Sequence, residues 1–214
     1  MMMLNPGKTE RVSDKICVIR TVISNFYIYD AGEELIAFDT GMAPPFAGAG
    51  MRKLGLDPGR VGHVFLTHSD MDHVGGLGLF KNARVFLSEA EVPLVTGEKA
   101  RRFMILQNRR LRGYTALADG ETVSVGSTRV ECVSAPGHTL GSVCYVVDDE
   151  AVATGDLLRI RPDGGIISFS VVQNMNHAQN RETLARLQEQ GVLGRGRYLL
   201  TGHSGAYDRN RTPR

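Results

Sequence analysis

The stretch Thr67-His68-Ser69-Asp70-Met71-Asp72-His73-Val74-Gly75-Gly76 sets two histidines and two carboxylates within six residues. Neither core packing nor solubility calls for that density of metal-ligating side chains at fixed spacing, because a core takes apolar residues and a solvated loop tolerates any polar order. The pattern reads as a metal site. The run before it, Arg60-Val61-Gly62-His63-Val64-Phe65-Leu66-Thr67, is short and apolar and predicts a buried strand, so the ligands are expected in the loop where that strand ends. Strand-end loops are where scaffolds carry chemistry.

Further ligands are sought in glycine-marked turns that follow apolar runs. His138 lies in Ser134-Ala-Pro-Gly-His-Thr-Leu-Gly-Ser142 after the run from Thr128 to Val133. Asp156 closes Ala153-Thr-Gly-Asp156, and His203 lies in Leu199-Leu-Thr-Gly-His-Ser-Gly205. Glycine precedes each of the three, which permits a tight turn and a close backbone approach.

In order along the chain, H-x-D-x-D-H, G-H-T, G-D and G-H-S, preceded by the strand end Asp39-Thr40-Gly41, resemble the metallo-β-lactamase superfamily of binuclear hydrolases. The resemblance implies a single domain over residues 1–214 with an αββα sandwich fold, its metals at one edge between the two sheets. It implies two divalent metal ions, zinc first, with iron or manganese as alternatives. His68, Asp70 and His138 would bind one ion, Asp72, His73 and His203 the other, and Asp156 would bridge. A bridging water, ionised near neutral pH, would attack a carbonyl, and Asp72 would handle the proton. The expected function is thus hydrolysis of an ester, lactone, thioester or related carbonyl compound. Asp39 has two readings of equal weight, a turn cap or a carboxylate orienting a ligand.

One position departs from the family pattern: Asp70 stands where the second histidine of H-x-H-x-D-H is usual. Flavo-diiron proteins of the same fold carry a glutamate there, which makes a di-iron redox or oxygen-handling protein the alternative.

At 214 residues the chain is long enough for a full core, and 42% hydrophobic with 22% charged residues is ordinary for a globular protein. A net charge of +2 gives no footprint for nucleic acid or membrane, no apolar stretch is long enough to span a bilayer, and the N-terminus does not read as an export signal. The expectation is a cytoplasmic protein acting on a small molecule, its oligomeric state open. Cys17, Cys132 and Cys144 each sit in an apolar run and read as buried thiols.

Strands are predicted near 16–22, 25–29, 35–39, 61–67, 84–87, 122–125, 128–133, 143–147, 151–153 and 198–201, with hairpins at Gly126-Ser127 and Asp148-Asp149. Helices are predicted near 45–54, 76–80, 89–95, 100–112 and 177–190. His63 reads as a packed strand residue and His177 as the start of a helix capped by Asn176, so neither joins the site. Gly75 and Gly76 read as letting a helix start press on the metal loop. The basic segment holding Arg101, Arg102, Arg109, Arg110 and Arg112 reads first as a solvated helix face and second as a wall offering arginines to an anionic substrate.

Overall fold

The computed structural model describes residues 6–101 and 111–210. In strand β2 (Ile16–Arg20) successive side chains point to opposite faces, and both faces are buried: Ile16 and Val18 join one apolar cluster, Cys17 and Ile19 another. This is why the run Ile-Cys-Val-Ile lacks polar alternation. β3 (Asn25–Asp30) and β4 (Leu35–Phe38) repeat the pattern, with β1 (Glu10–Arg11) as a short edge. These four strands are antiparallel. The chain then crosses over through α1 (Pro44–Lys53) to β5 (Val61–Phe65), which pairs parallel to β4, and on to β6 (Arg84–Ser88) and β7 (Tyr114–Leu117), also parallel. Between β5 and β6 lies the single helical turn α2 (Met71–Val74), and after β6 comes α3 (Val92–Thr96).

A second sheet has the order β15-β14-β11-β10-β9-β8. Its strands are β8 (Thr122–Val125), β9 (Thr128–Ser134), β10 (Val143–Val147), β11 (Ala151–Gly155), β14 (Tyr198–Thr201) and β15 (Gly205–Asp208). β11 and β14 are parallel and joined through the small hairpin β12–β13 (Leu158–Ile160, Ile166–Ser168) and helix α4 (His177–Glu189). Phe38, Phe65, Phe86 and Tyr145 fill the space between the sheets, with Phe65 and Phe86 stacked 4.7 Å apart. Met51 and Ala47 of α1 cover the outer face of the first sheet, and Leu184 and Leu187 of α4 that of the second. The architecture is an αββα sandwich.

The predicted strands are present, as are both hairpins, whose tight turns put Gly126, Asp148 and Asp149 at positive φ. Four expectations are corrected. Residues 76–80 form only a 3-10 turn at Leu77–Leu79, and 89–95 divides into a 3-10 turn at Glu89–Glu91 and α3, where Pro93 starts the α-helix in its first turn. Asp72 and His73 lie in the one-turn helix α2 rather than a loop. β1, β7, β12, β13 and β15 were not expected. Of the helix expected at 100–112, residues 102–110 lie outside the described ones.

Candidate metal centre

The expected ligands all follow the carboxyl ends of strands, His68 to His73 after β5, His138 after β9, Asp156 after β11 and His203 after β14, and Asp39 likewise follows β4. The loops are stitched across the sheets. Asn25 N donates to Gly202 O (2.7 Å), Ser24 Oγ to Asp72 O (2.6 Å), and Val143 N to Thr67 O (2.9 Å). Glycine is required where backbones close in. A Cβ on Gly202 would lie 2.2 Å from Asp156 Oδ1, and one on Gly76 would lie 2.1 Å from Thr40 O. Gly75 and Gly76 were expected to press on the metal loop; they press instead on the Asp39–Met42 loop, at Met42 O and Thr40 O.

Each of the four histidines has its Nδ1 engaged outside the centre. His73 Nδ1 is 2.8 Å from Asp39 Oδ2, His138 Nδ1 3.0 Å from Asn174 Oδ1, His203 Nδ1 2.6 Å from Ile23 O, and His68 Nδ1 3.0 Å from Thr67 Oγ1. With Nδ1–H donated to Asp39, Asn174 and Ile23, the Nε2 lone pairs of His73, His138 and His203 turn inward. There His73 Nε2 is 3.4 Å from Asp156 Oδ1, while His138 and His203 Nε2 are 3.4 and 3.1 Å from Asp156 Oδ2. Asp72 Oδ2 lies 3.3 Å from His203 Nε2, and Asp70 Oδ2 3.5 and 3.2 Å from Nε2 of His68 and His138.

This donor set fits divalent ions. Nε2 of His68 and of His73 are buried with no hydrogen-bond partner, a costly state for polar atoms unless something coordinates them. Ligand atoms of His68, Asp70 and His138 lie within 4.8 Å of one another, as do those of Asp72, His73 and His203 and those of His68, His73 and Asp156. All seven side chains expected as ligands are thus brought together, and Asp156 reaches histidines of both trios. Burial disfavours the proton on His73 and His203, but the surrounding carboxylates together, Asp156 foremost with Asp72 at both and Asp39 at His73, outweigh it and raise both pKa values. Burial alone prevails at His138, which is lowered. Asp70 and Asp156 sit well below the usual carboxylate range although burial opposes it, because histidines surround them.

Asp39 reaches the histidine loop rather than the backbone of its own turn. Its Oδ1 accepts from Thr67 N (2.8 Å) while Oδ2 holds His73, and its backbone sits at φ 60, a left-handed conformation that aspartate tolerates better than most residues. His63 is packed as expected, 5.7 Å from the Phe86 ring and bonded to Glu34 (3.0 Å). Asn176 caps α4 through Gln179 N (3.0 Å). His177 lies nearer the centre than expected, 3.0 Å from Asn174 Nδ2.

Two contributors escape a reading of the sequence. Glu91 is fully buried and accepts from Ser69 N (2.9 Å), Ser69 Oγ (2.5 Å), Thr139 Oγ1 (2.7 Å) and Gly141 N (2.9 Å), tying the loop of His68 and Asp70 to that of His138. Arg101 belongs to the basic segment, but it is buried rather than solvated. Its guanidinium pairs with Asp70, donates to Gln173 O (2.8 Å) and His138 O (3.2 Å), and approaches His138 Nε2 (3.2 Å). Of the other arginines, Arg112 is exposed, and Arg102, Arg109 and Arg110 lie outside the described residues.

Residues 19–203 match the model of the metallo-beta-lactamase superfamily. The chain belongs to this superfamily. Among its relatives, the "Probable polyketide biosynthesis zinc-dependent hydrolase PksB" of Bacillus subtilis is 36% identical over 96 residues, 44% of this chain and 37% of that protein. The "Hydroxyacylglutathione hydrolase" of Acidiphilium cryptum is 32% identical over 118 residues, 54% of this chain and 42% of that protein. The "Atrochrysone carboxyl ACP thioesterase" of Aspergillus fumigatus is 28% identical over 135 residues, 62% of this chain and 29% of that protein. The matched stretches thus span well under half of these relatives. A solved B3 metallo-beta-lactamase, described as having an active site glutamic acid, shares the fold with TM-score 0.70 and 20% identity, over 96% of this chain and 84% of that one. No helix among the described residues is long and apolar enough to cross a membrane.

Proposed function

We propose that the protein hydrolyses an ester-type carbonyl compound, thioesters first, at a centre of two divalent ions, zinc before iron or manganese. His68, Asp70 and His138 would hold one ion, Asp72, His73 and His203 the other, and Asp156 would join them. The observation that carries this is the convergence of the buried Nε2 atoms on Asp156, with each Nδ1 tied elsewhere. The thioester preference rests on the relatives, two of which are named for an acyl-carrier-protein thioesterase and a hydroxyacylglutathione hydrolase. That all three cysteines are buried and free supports the reducing environment of the cytoplasm.

When bound, such ions supply Lewis acidity toward the carbonyl and lower the pKa of water. The protein's own residues supply geometry and proton handling. Asp39, Asn174 and Ile23 O fix three imidazoles in the tautomer that presents Nε2. Asp72 is the most accessible carboxylate of the set, its side chain 13% exposed against 4% and 5% for Asp156 and Asp70. It would take a proton from the attacking water and return it to the leaving group, so that the C–S bond breaks, the acyl carbon gains hydroxyl and the sulfur leaves as thiol. The test is turnover of a thioester, ester and lactone panel by zinc-loaded protein and by chelated protein. Hydrolysis that needs metal and is lost in Asp72→Asn supports the reading; metal-independent hydrolysis, or none of any panel member, overturns it.

A further inference from the structure

A groove of about 510 Å³ runs beside the metal centre between the β12–β13 hairpin and α4. Ile166 and Leu184 give it apolar walls, and Val171, 64% exposed, stands at its rim. Its charged residues are all cationic or protonatable: Arg159, Arg181 and His177, with no carboxylate in the lining. Neither arginine forms an ion pair with any described residue, and Arg159 Nε is buried without a hydrogen-bond partner. By contrast, Arg195 is paired with Glu131 and Asp149, and Arg197 with Asp208. A guanidinium set against apolar walls with no counter-charge is built for an anion that comes from outside.

The groove adjoins the centre at Phe169. Phe169 lines it, and the same ring lies 5.1 Å from the ring of His138 and 5.2 Å from that of His203, with the Arg159 guanidinium 5.5 Å above it. A carbonyl at the metal centre would therefore have the rest of its molecule directed past Phe169 toward Arg159 and Arg181. We propose that this groove is the substrate's second binding site and takes a carboxylate or phosphate carried on an apolar arm. The inference rests on the hydrolase reading for its location and concerns which substrates are chosen. The anion has two sources in a thioester, an ω-carboxylate on the acyl side or a phosphate on the thiol side.

Two matched pairs separate them: S-glutaryl against S-butyryl N-acetylcysteamine, and S-acetyl-4′-phosphopantetheine against S-acetyl-pantetheine. Turnover is measured alongside calorimetric binding of thioether analogues that cannot be hydrolysed, using zinc-loaded wild type, Arg181→Gln and Arg159→Gln. Wild type is expected to prefer the anionic member of one pair by about tenfold or more, and each variant to lose most of that preference while handling the neutral member as before. Preference in the first pair places the anion on the acyl arm, and in the second on the thiol arm. Equal handling of both members of both pairs, or a preference that survives in both variants, overturns the inference. Arg181 is exposed, so its variant folds even if that of Arg159 does not. Loss of turnover with selective binding intact would count against hydrolysis and not against the groove, whereas turnover without charge preference would count against the groove alone.

Discussion

Replacing Glu91 with Ala should damage both the fold and one half of the metal centre. Its carboxylate accepts from the backbone amides of Ser69 and Gly141 and from two hydroxyls, all buried. Hydrogen bonds to a charged acceptor contribute about 1.5–3 kcal/mol each. Counting only the two amides, because Thr139 Oγ1 also has Ser142 Oγ at 2.7 Å, the loss is about 3–6 kcal/mol. For a chain of this size that corresponds to a fall in Tm on the order of 10 °C. The damage should be uneven. Ser69 lies between His68 and Asp70 and Thr139 adjoins His138, so Glu91 braces one trio, while Asp72, His73 and His203 are held through Asp39, Ser24 and Ile23. Urea denaturation with and without zinc reads the stability, and titration against a chelating indicator reads the two affinities. One metal should weaken by about 10–100-fold and the other little. A stability loss under about 1 kcal/mol with both affinities unchanged would refute the claim that Glu91 ties these loops.

Asp39→Asn should weaken the other metal instead, by about 10–100-fold in the same titration, because an amide cannot accept from both Thr67 N and His73 Nδ1–H as firmly as a carboxylate does; unchanged affinity would mean that Asp39 does not orient a ligand. Zinc added to metal-free protein at pH 7 should release protons. The pKa values of His73 and His203 are raised above the ordinary value of about 6.5, so both imidazoles keep their protons to higher pH than a free imidazole, a metal must displace them, and affinity should climb as pH rises. Proton uptake, or none, in weakly buffered solution would contradict the assigned shifts. Asp70→His should increase the preference for zinc over iron and manganese, since it removes a hard oxygen donor and also strips Arg101 of its carboxylate; an unchanged metal preference would mean that Asp70 does not ligate.

The candidate ligands were legible in the sequence because they follow apolar strands, four of them crowded within six residues and the other three, His138, Asp156 and His203, directly after glycine, a local signature that survives without knowledge of the fold. The sandwich was legible through the same motifs, and β2 to β6, β8 to β11 and β14 through their apolar runs. β1, β7, β12, β13 and β15 were not, since stretches such as Tyr114-Thr-Ala-Leu117 and Gly205-Ala-Tyr-Asp208 are short, mixed in polarity and defined by the neighbours they pair with. Glu91 resembles any acidic residue at a helix start, and only the meeting of two distant loops gives it a role. Asn174 and the carbonyl of Ile23 are equally silent in sequence, because what selects them is the direction of an imidazole rather than a pattern along the chain. Arg101 was visible as one of several arginines, but its burial against Asp70 was not.

The most direct test of the central claim, one centre with two linked metal positions, is the metal content of purified protein after zinc supplementation and desalting, wild type beside Asp156→Ala. Asp156 faces His73 with one oxygen and His138 and His203 with the other, so its removal strikes both trios at once. The account predicts about two zinc ions per chain in the wild type, and loss of both together in the variant. One ion or fewer in the wild type, or a variant that keeps one ion at full affinity, would contradict it.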